Sequence, residues 1–171
     1  MVTTDNQREL FIVVDKNDRI LGYRTRYECH HDKKLIHRGI NVLISNDKGE
    51  MLLQKRSVTK DTFPGFWTTA VGGHVAKGET YDEAARREMR EELGIAVAIV
   101  FHTKFIHAYP RETEMESVYT AKSNGPFTPN KKEVEKVEYF SKIKLARLLK
   151  TKEFLLTNLA RHSLKVIGFI S

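Results

Sequence analysis

The stretch that decides the fold reads GHVAKGETYDEAARREMREELGI, from Gly73 to Ile95. Thr80 offers an N-cap oxygen, and Glu83, three residues on, is placed to reach back to the backbone; Gly94 stands where a helix C-terminus wants a residue without a side chain. The pattern predicts a helix over about 81–93. On that helix Glu88, Glu91 and Glu92 sit at i, i+3 and i+4, so their carboxylates project from one face within a single turn. Three such charges repel one another unless cations neutralise them, and oxygen-only sites suit the hard ions Mg²⁺ or Mn²⁺. Tyr81 and Ala84 are expected on this same face, with Ala85, Met89 and Leu93 forming an apolar packing stripe a quarter-turn away. For the glutamates alone, the bland alternative is a solvated acidic face paired with Arg86, Arg87 and Arg90. The glycines of the preceding loop, Gly73 and Gly78, let backbone carbonyls approach a metal or phosphate closely.

Working outward, Leu10 to Val14 and Ile20 to Tyr23 read as a hairpin about a Lys16-Asn17-Asp18 turn. A second pair follows, from Gly39 to Ile44 and from Glu50 to Gln54, joined by Asn46 to Gly49. Residues 57–65 form a polar loop, and Phe66 to Val71 is extended chain leading into Gly72 and Gly73. Further strands are expected at 96–107, 114–121 and 134–140, then one or two helices within 142–168 from the spacing of Leu145, Leu148, Leu149, Leu155, Leu159, Leu164 and Val166. That apolar spacing reads as packing or as a homodimer face. The order of elements suits an α/β sandwich with a mixed sheet covered by helices better than a strictly alternating parallel fold.

With 171 residues and 40% hydrophobic content, the chain is long enough for one core and short for two, so residues 1–171 are expected to form a single domain. One cysteine, Cys29, excludes an internal disulfide or a Cys-rich metal site and points to a reducing compartment; Cys29 itself reads as a small semi-buried residue. The absence of a signal-like start or a long apolar run predicts a cytoplasmic protein with no membrane contact. A formal charge of +7 favours anionic partners, phosphorylated small molecules or nucleic acid, without choosing between them; the bland alternative is a solvated surface that happens to be basic.

From Gly73 to Ile95 the chain resembles the Nudix box at each of that motif's fixed positions, in the loop-then-helix setting the family requires. Chance recurrence in a chain of this length is on the order of one in a million or less. The resemblance implies an α/β/α Nudix sandwich and a metal-dependent hydrolase of diphosphate linkages acting on a small organic diphosphate. Carried over by position, it implies that Glu88, Glu91, Glu92 and the Gly73 carbonyl hold the metal, that Glu79 assists near it, and that Arg87 orients the glutamates. Glu88 or Glu92 on the helix, or Glu114, Glu116, Glu133 or Glu135 later in the chain, are the candidates for a general base.

A second resemblance covers about residues 10–140. The segments VVDKNDRILG (13–22), His30 to His37, LLQKR (52–56) and FPGFW (63–67) look like the Nudix branch that includes isopentenyl-diphosphate isomerase. It implies a rival activity, proton transfer to and from carbon, and places His30, His37, His74, Glu114 and Glu116 where that branch holds a metal. The isomerase cysteine is replaced here by Gly72, which has no side chain to donate a proton, and the box is complete, so hydrolysis is favoured. Hydrogen-bonded structural histidines are the bland alternative for His30 and His37. Phe63, Phe66 and Trp67 are expected in the core before a base-stacking or apolar substrate pocket. A nucleotide- or RNA-binding module that keeps the box without turnover is the third possibility.

Overall fold

The structure, a computed structural model, describes residues 5–171. Its strands are β1 (Leu10–Val14), β2 (Ile20–Thr25), β3 (Ile36–Ser45), β4 (Met51–Arg56), β5 (Trp67–Thr69), β6 (Val71–His74), β7 (Ile99–Ala108), β8 (Thr113–Lys122) and β9 (Val134–Phe140). The helices are α1 (Arg26–Cys29), α2 (Tyr81–Leu93), α3 (Lys142–Leu148) and α4 (Asn158–Val166). The strands join one mixed sheet organised by β3. Along one edge β3 runs parallel to β8 over its whole length, from Ile36 opposite Thr113 to Ser45 opposite Lys122. Its other edge is shared in sequence by antiparallel β1, β6 and β4. The first hairpin forms as expected, with Asp18 at φ 63° in its turn, and β7 pairs antiparallel with β8.

Alternation along β3 sorts two cores. Ile40, Val42 and Ile44 pack with Ala84, Ala85, Met89 and Leu93 of α2, while Leu43 packs with Leu53, Trp67 and Phe140 and with Leu145, Ala160 and Leu164 of α3 and α4. The sheet therefore carries helices on both faces, the α/β/α layering expected from the order of elements. Leu145, Leu159 and Leu164 are buried and serve internal packing, whereas Leu155 and Val166 are exposed. Trp67 is likewise core, edge-on to Phe140 at 5.1 Å and stacked on Phe154 at 5.6 Å.

Helix α2 begins and ends where its sequence asks. The Thr80 side chain accepts from the Glu83 N–H, Glu83 accepts from the Thr80 N–H at 2.8 Å, and Gly94 closes the helix at φ 68°. The division of its faces differs from expectation. Ala84, assigned with the glutamates, is fully buried against the sheet, and Glu92 is itself buried among the packing residues. Ala84 is small enough to let the helix approach the sheet closely, which carries Glu92 into the interior with it. The stretch 66–71 also differs: chain pairing breaks at Ala70, so β5 pairs with β4 and β6 with β3. The short helix α1 has no counterpart in the sequence reading; its Thr25/Glu28 capping box is the signal that marks it. Replacing Thr80 by Ala removes the N-cap and should lower unfolding stability by about 1 kcal/mol in a urea titration. An unchanged midpoint would show that packing alone sets the start of α2.

Candidate active site

Adjacent residue pairs on the β3–β6 ladder, Ile40 with Gly73 and Gly39 with His74, point to opposite faces of the sheet. Each glycine lets a carboxylate lie against bare backbone. A Cβ on Gly73 would stand 2.3 Å from the Glu88 carboxyl, and one on Gly39 would stand 2.9 Å from Glu116 Oε1. Two acidic clusters thus flank one thin ladder. Both line a single cavity of about 310 Å³.

The first cluster belongs to α2. Arg87 is its hub: Nε and Nη2 donate to the two oxygens of Glu79 at 2.6 and 2.9 Å, and Nη1 donates to Glu88 at 2.8 Å and to Glu91 at 3.0 Å. Nη2 also donates to the His74 carbonyl at 3.1 Å, tying the helix to the loop that presents Gly73. Glu92 is held from the other side, accepting from the Gln54 side chain at 3.1 Å and the Gly72 N–H at 3.3 Å. Burial pushes the Glu88 carboxyl up to about 7 against the pull of Arg87, and burial together with the Glu88 and Glu133 charges raises Glu92 as well. Arg87 holds Glu79 below the usual carboxylate range. Buried carboxylates with raised proton affinity are suited to a divalent cation, and the missing Gly73 side chain leaves that carbonyl within reach of the same place. Glu91, with its side chain half exposed, faces the mouth of the cavity.

The second cluster lies across the ladder. Buried His30 caps the C-terminus of α1, buried His37 and His74 come from β3 and β6, and Glu114 and Glu116 come from β8. His30 Nε2 is 3.3 Å from His74 Nε2, and His74 Nε2 is 3.1 Å from Glu114 Oε1. His37 Nε2 is 3.4 Å from the same Glu114 oxygen, yet neither of its ring nitrogens makes an aligned hydrogen bond among the described residues. The ligand atoms of His30, His37 and His74 all lie within 4.8 Å of one another. Phe11, fully buried, stacks on His74 at 4.2 Å and on His37 at 5.5 Å, fixing both rings. Burial pushes His30 down to about 2 and His74 to about 3, so both rings are neutral, as a metal ligand must be. Burial opposes ionisation of Glu114 too, but the His37 and His74 rings beside it hold it well below its usual range, and Glu116 is driven up by burial and by the Glu114 charge. His30 thus has polar partners in His74 and Glu112, while His37 is buried without an aligned one among the described residues.

Glu133 also lines the cavity, accepting from Asn130 Nδ2 at 3.0 Å. Glu135 does not; it is half exposed and paired with Lys55 at 3.0 Å. Sequence reasoning missed Glu112, a buried carboxyl with Oε2 3.2 Å from His30 Nε2, and Gln54, which holds Glu92. The i, i+2, i+4 spacing of Glu112, just before β8, with Glu114 and Glu116 on it could have flagged the first. Nothing in the chain marks Gln54.

These ionisations set a pH dependence with a definite sign. Lowered histidines bind fewer protons folded than unfolded, which adds stability as pH rises to about 6.5; raised carboxyls bind more, which removes it as pH rises towards their folded values. The two oppose each other below about 6.5. Above it the histidine contribution is complete, while Glu88 near 7 and Glu112, raised to about 8 by burial and by Glu114, still hold protons. The metal-free protein is therefore expected to lose on the order of 2 kcal/mol between about pH 6.5 and 8. Saturating Mg²⁺, which selects the deprotonated carboxyls, should reduce that loss. Melting temperatures measured across this window with EDTA and with Mg²⁺ test it; a metal-free curve that rises from pH 6.5 to 8 would contradict it.

The comparisons agree with this geometry. Residues 35–160 match the NUDIX domain family. An uncharacterized Nudix hydrolase of Pseudomonas aeruginosa is 36% identical over 132 residues, 77% of this chain and 78% of that protein. The chloroplastic isopentenyl-diphosphate Delta-isomerase 1 of Cannabis sativa is 34% identical over 164 residues, covering 81% of this chain; the chain spans only 57% of that enzyme's length. A crystal structure of a Deinococcus radiodurans protein superposes with a TM-score of 0.79 at 26% identity, over 92% of this chain and 99% of the other. Among the described residues no helix is long and apolar enough to cross a membrane. With its box folded as loop and capped helix and most of its length matched, the chain belongs to the Nudix family.

Proposed function

We propose that this chain hydrolyses a diphosphate linkage in a nucleoside diphosphate derivative or a related organic diphosphate. Mg²⁺, or Mn²⁺ in its place, would be held by Glu88, Glu91, Glu92 and the Gly73 carbonyl. A cation bound there supplies charge neutralisation on the diphosphate and a more acidic water. The observation that carries the reading is the seating of buried Glu88 against the bare backbone of Gly73, with Glu92 gripped at Gly72.

The remaining residues divide the work. Arg87, braced by Glu79 and the His74 carbonyl, keeps Glu88 and Glu91 turned towards Gly73. Arg56, Lys60 and Lys132 line the cavity and draw in the diphosphate. Glu133, a carboxylate lining the cavity, would take the proton from the attacking water. The histidine cluster offers a second metal site that suits an imidazole-preferring ion.

Isomerisation is the second reading, favoured by that cluster and by the likeness to the isomerases. It lacks an acid at Gly72, and the nearest cysteine, Cys29, is fully buried with its thiol pushed up to about 12 by burial. A panel of nucleoside diphosphates, dinucleoside polyphosphates, nucleotide sugars, coenzyme A and prenyl diphosphates, assayed for phosphate release with Mg²⁺ and with EDTA, tests the proposal. Cleavage of at least one class that stops with EDTA is expected. Tight binding without cleavage of any would turn the site into a binding module.

A further inference from the structure

Residues 142–171 hold seven lysines and arginines and a single acid, Glu153, so +6 of the chain's formal +7 lies in these thirty residues. They form α3, α4 and the segments joining and following them, on the sheet face opposite α2, which carries three arginines against five carboxylates. The two helical layers therefore differ in the sign of their charge. Two of the seven cations are engaged: Lys142 donates to the Gly168 carbonyl at 3.1 Å, and Lys144 pairs with Glu138 of β9. Arg147 on α3, Lys150 and Lys152 in the turn after it, and Arg161 and Lys165 one turn apart on α4 make no ion pair or side-chain hydrogen bond among the described residues. All but Arg161 are exposed, and none of the five lines the reaction cavity. Like charges at i and i+4, as Arg161 and Lys165 are, cost helix stability, and no acid on α4 offsets them.

A surface of this kind attracts a polyanion, and its remaining chemistry separates the candidates. The apolar sides of α3 and α4, through Leu145, Leu159 and Leu164, are turned into the core. The exposed aliphatics stand singly, Ile143 on α3, Leu155 in the connecting segment and Val166 on α4, so they form no continuous apolar face to enter a lipid surface. Single-stranded nucleic acid is gripped by open rings on which bases stack, but here Phe169 is buried, Phe154 stacks on Trp67 and exposed His162 stacks on Phe105 at 4.2 Å. What is left is attraction to closely spaced phosphates with nothing to read a base, and a duplex presents those phosphates most densely, one for about every 1.7 Å of axis. We propose that the α3–α4 layer docks on the phosphate backbone of double-stranded nucleic acid without reading its sequence. The proposal is independent of the hydrolase reading, because the free cations stand apart from the cavity.

The test follows the fluorescence anisotropy of labelled DNA and RNA duplexes, each in two unrelated sequences, as the full chain is added over about 50 to 200 mM salt. Binding that does not distinguish the two sequences is expected, with log K falling linearly against log salt at a slope of about −2 to −4.5, the range for two to five neutralised phosphates. Two double variants, Lys150→Gln with Lys152→Gln and Arg161→Gln with Lys165→Gln, should each weaken binding about tenfold and flatten the slope by about 2. Their melting temperatures should equal or exceed that of wild type, since the substitutions remove repulsion and break no contact. The proposal is overturned by any of the following results: no binding to either duplex at about 50 mM salt; affinity and slope unchanged in both variants; tighter binding to a single strand than to its duplex; competition by polyglutamate as effective as by unlabelled duplex; or stronger capture by phosphatidylglycerol vesicles than by the duplex.

Discussion

Glu92→Gln is expected to abolish Mg²⁺-dependent phosphate release while leaving the fold intact. Glu92 is buried and its carboxyl is driven towards the neutral form by burial and by Glu88, so the metal-free protein already behaves as though an uncharged group stood there. Gln is close to that neutral acid in shape and keeps an oxygen to accept from Gln54 and the Gly72 N–H. The metal-free melting temperature should therefore hold or rise. What is lost is the anionic ligand, and with it several kcal/mol of charge stabilisation, or about a thousandfold in kcat. The stabilisation by Mg²⁺ should shrink in step, since binding to the native state alone produces it. Glu91→Gln should lose Mg²⁺-dependent release as well, and since its side chain is half exposed, the substitution leaves the packing of α2 unchanged. Wild-type turnover in either variant would remove α2 from the metal site.

Gly73→Ala is the second large effect, and its neighbour supplies the comparison. A methyl group at Gly73 would meet the Glu88 carboxyl carbon and Oε1 at 2.3 Å, closer than atoms approach. The obstructed group is the end of a flexible side chain, so Glu88 swings away instead of the ladder unpairing, and the fold survives with a cost of about 1–3 kcal/mol. The carboxylate leaves the Gly73 carbonyl and the grip of Arg87 Nη1. Phosphate release should fall more than about a hundredfold, the scale expected when a metal ligand is displaced. At Gly72, one residue earlier, an added Cβ meets only the Ile40 carbonyl, at 3.9 Å. Gly72→Ala should fold and turn over nearly as wild type. Equal loss in both variants would mean the ladder as a whole, not the Glu88 contact, is what the glycines protect.

Much of this was legible in the chain because the signals are local. The span of α2 follows from Thr80, Glu83 and Gly94, three residues whose hydrogen bonds are made within a few positions of themselves. The grouping of Glu88, Glu91 and Glu92 within one turn follows from helical spacing for the same reason. What escaped is set by tertiary contact. Whether Glu92 faces water or core depends on how closely Ala84 lets α2 approach the sheet. Gln54 reads as an ordinary strand residue until β4 brings it beside Glu92. Glu133 and Glu135 look alike in sequence, and only the turn before β9 puts one in the cavity and the other on Lys55. That the histidines and Glu114 meet, anticipated only through the resemblance to the isomerase branch, is a consequence of the parallel register of β3 with β8, which places His37 opposite Glu114 across seventy-seven residues of chain. No periodicity can reveal a pairing of that range.

The central claim is that this site directs water to phosphorus and moves no proton to carbon. Purified protein incubated with Mg²⁺, a nucleoside diphosphate panel and isopentenyl diphosphate, followed by phosphorus and proton NMR on the same sample, tests it most directly. The expected result is the growth of inorganic phosphate or nucleoside monophosphate signals from a diphosphate substrate, with the two five-carbon diphosphate isomers remaining in the proportion supplied. Interconversion of those isomers without phosphate release would contradict the account.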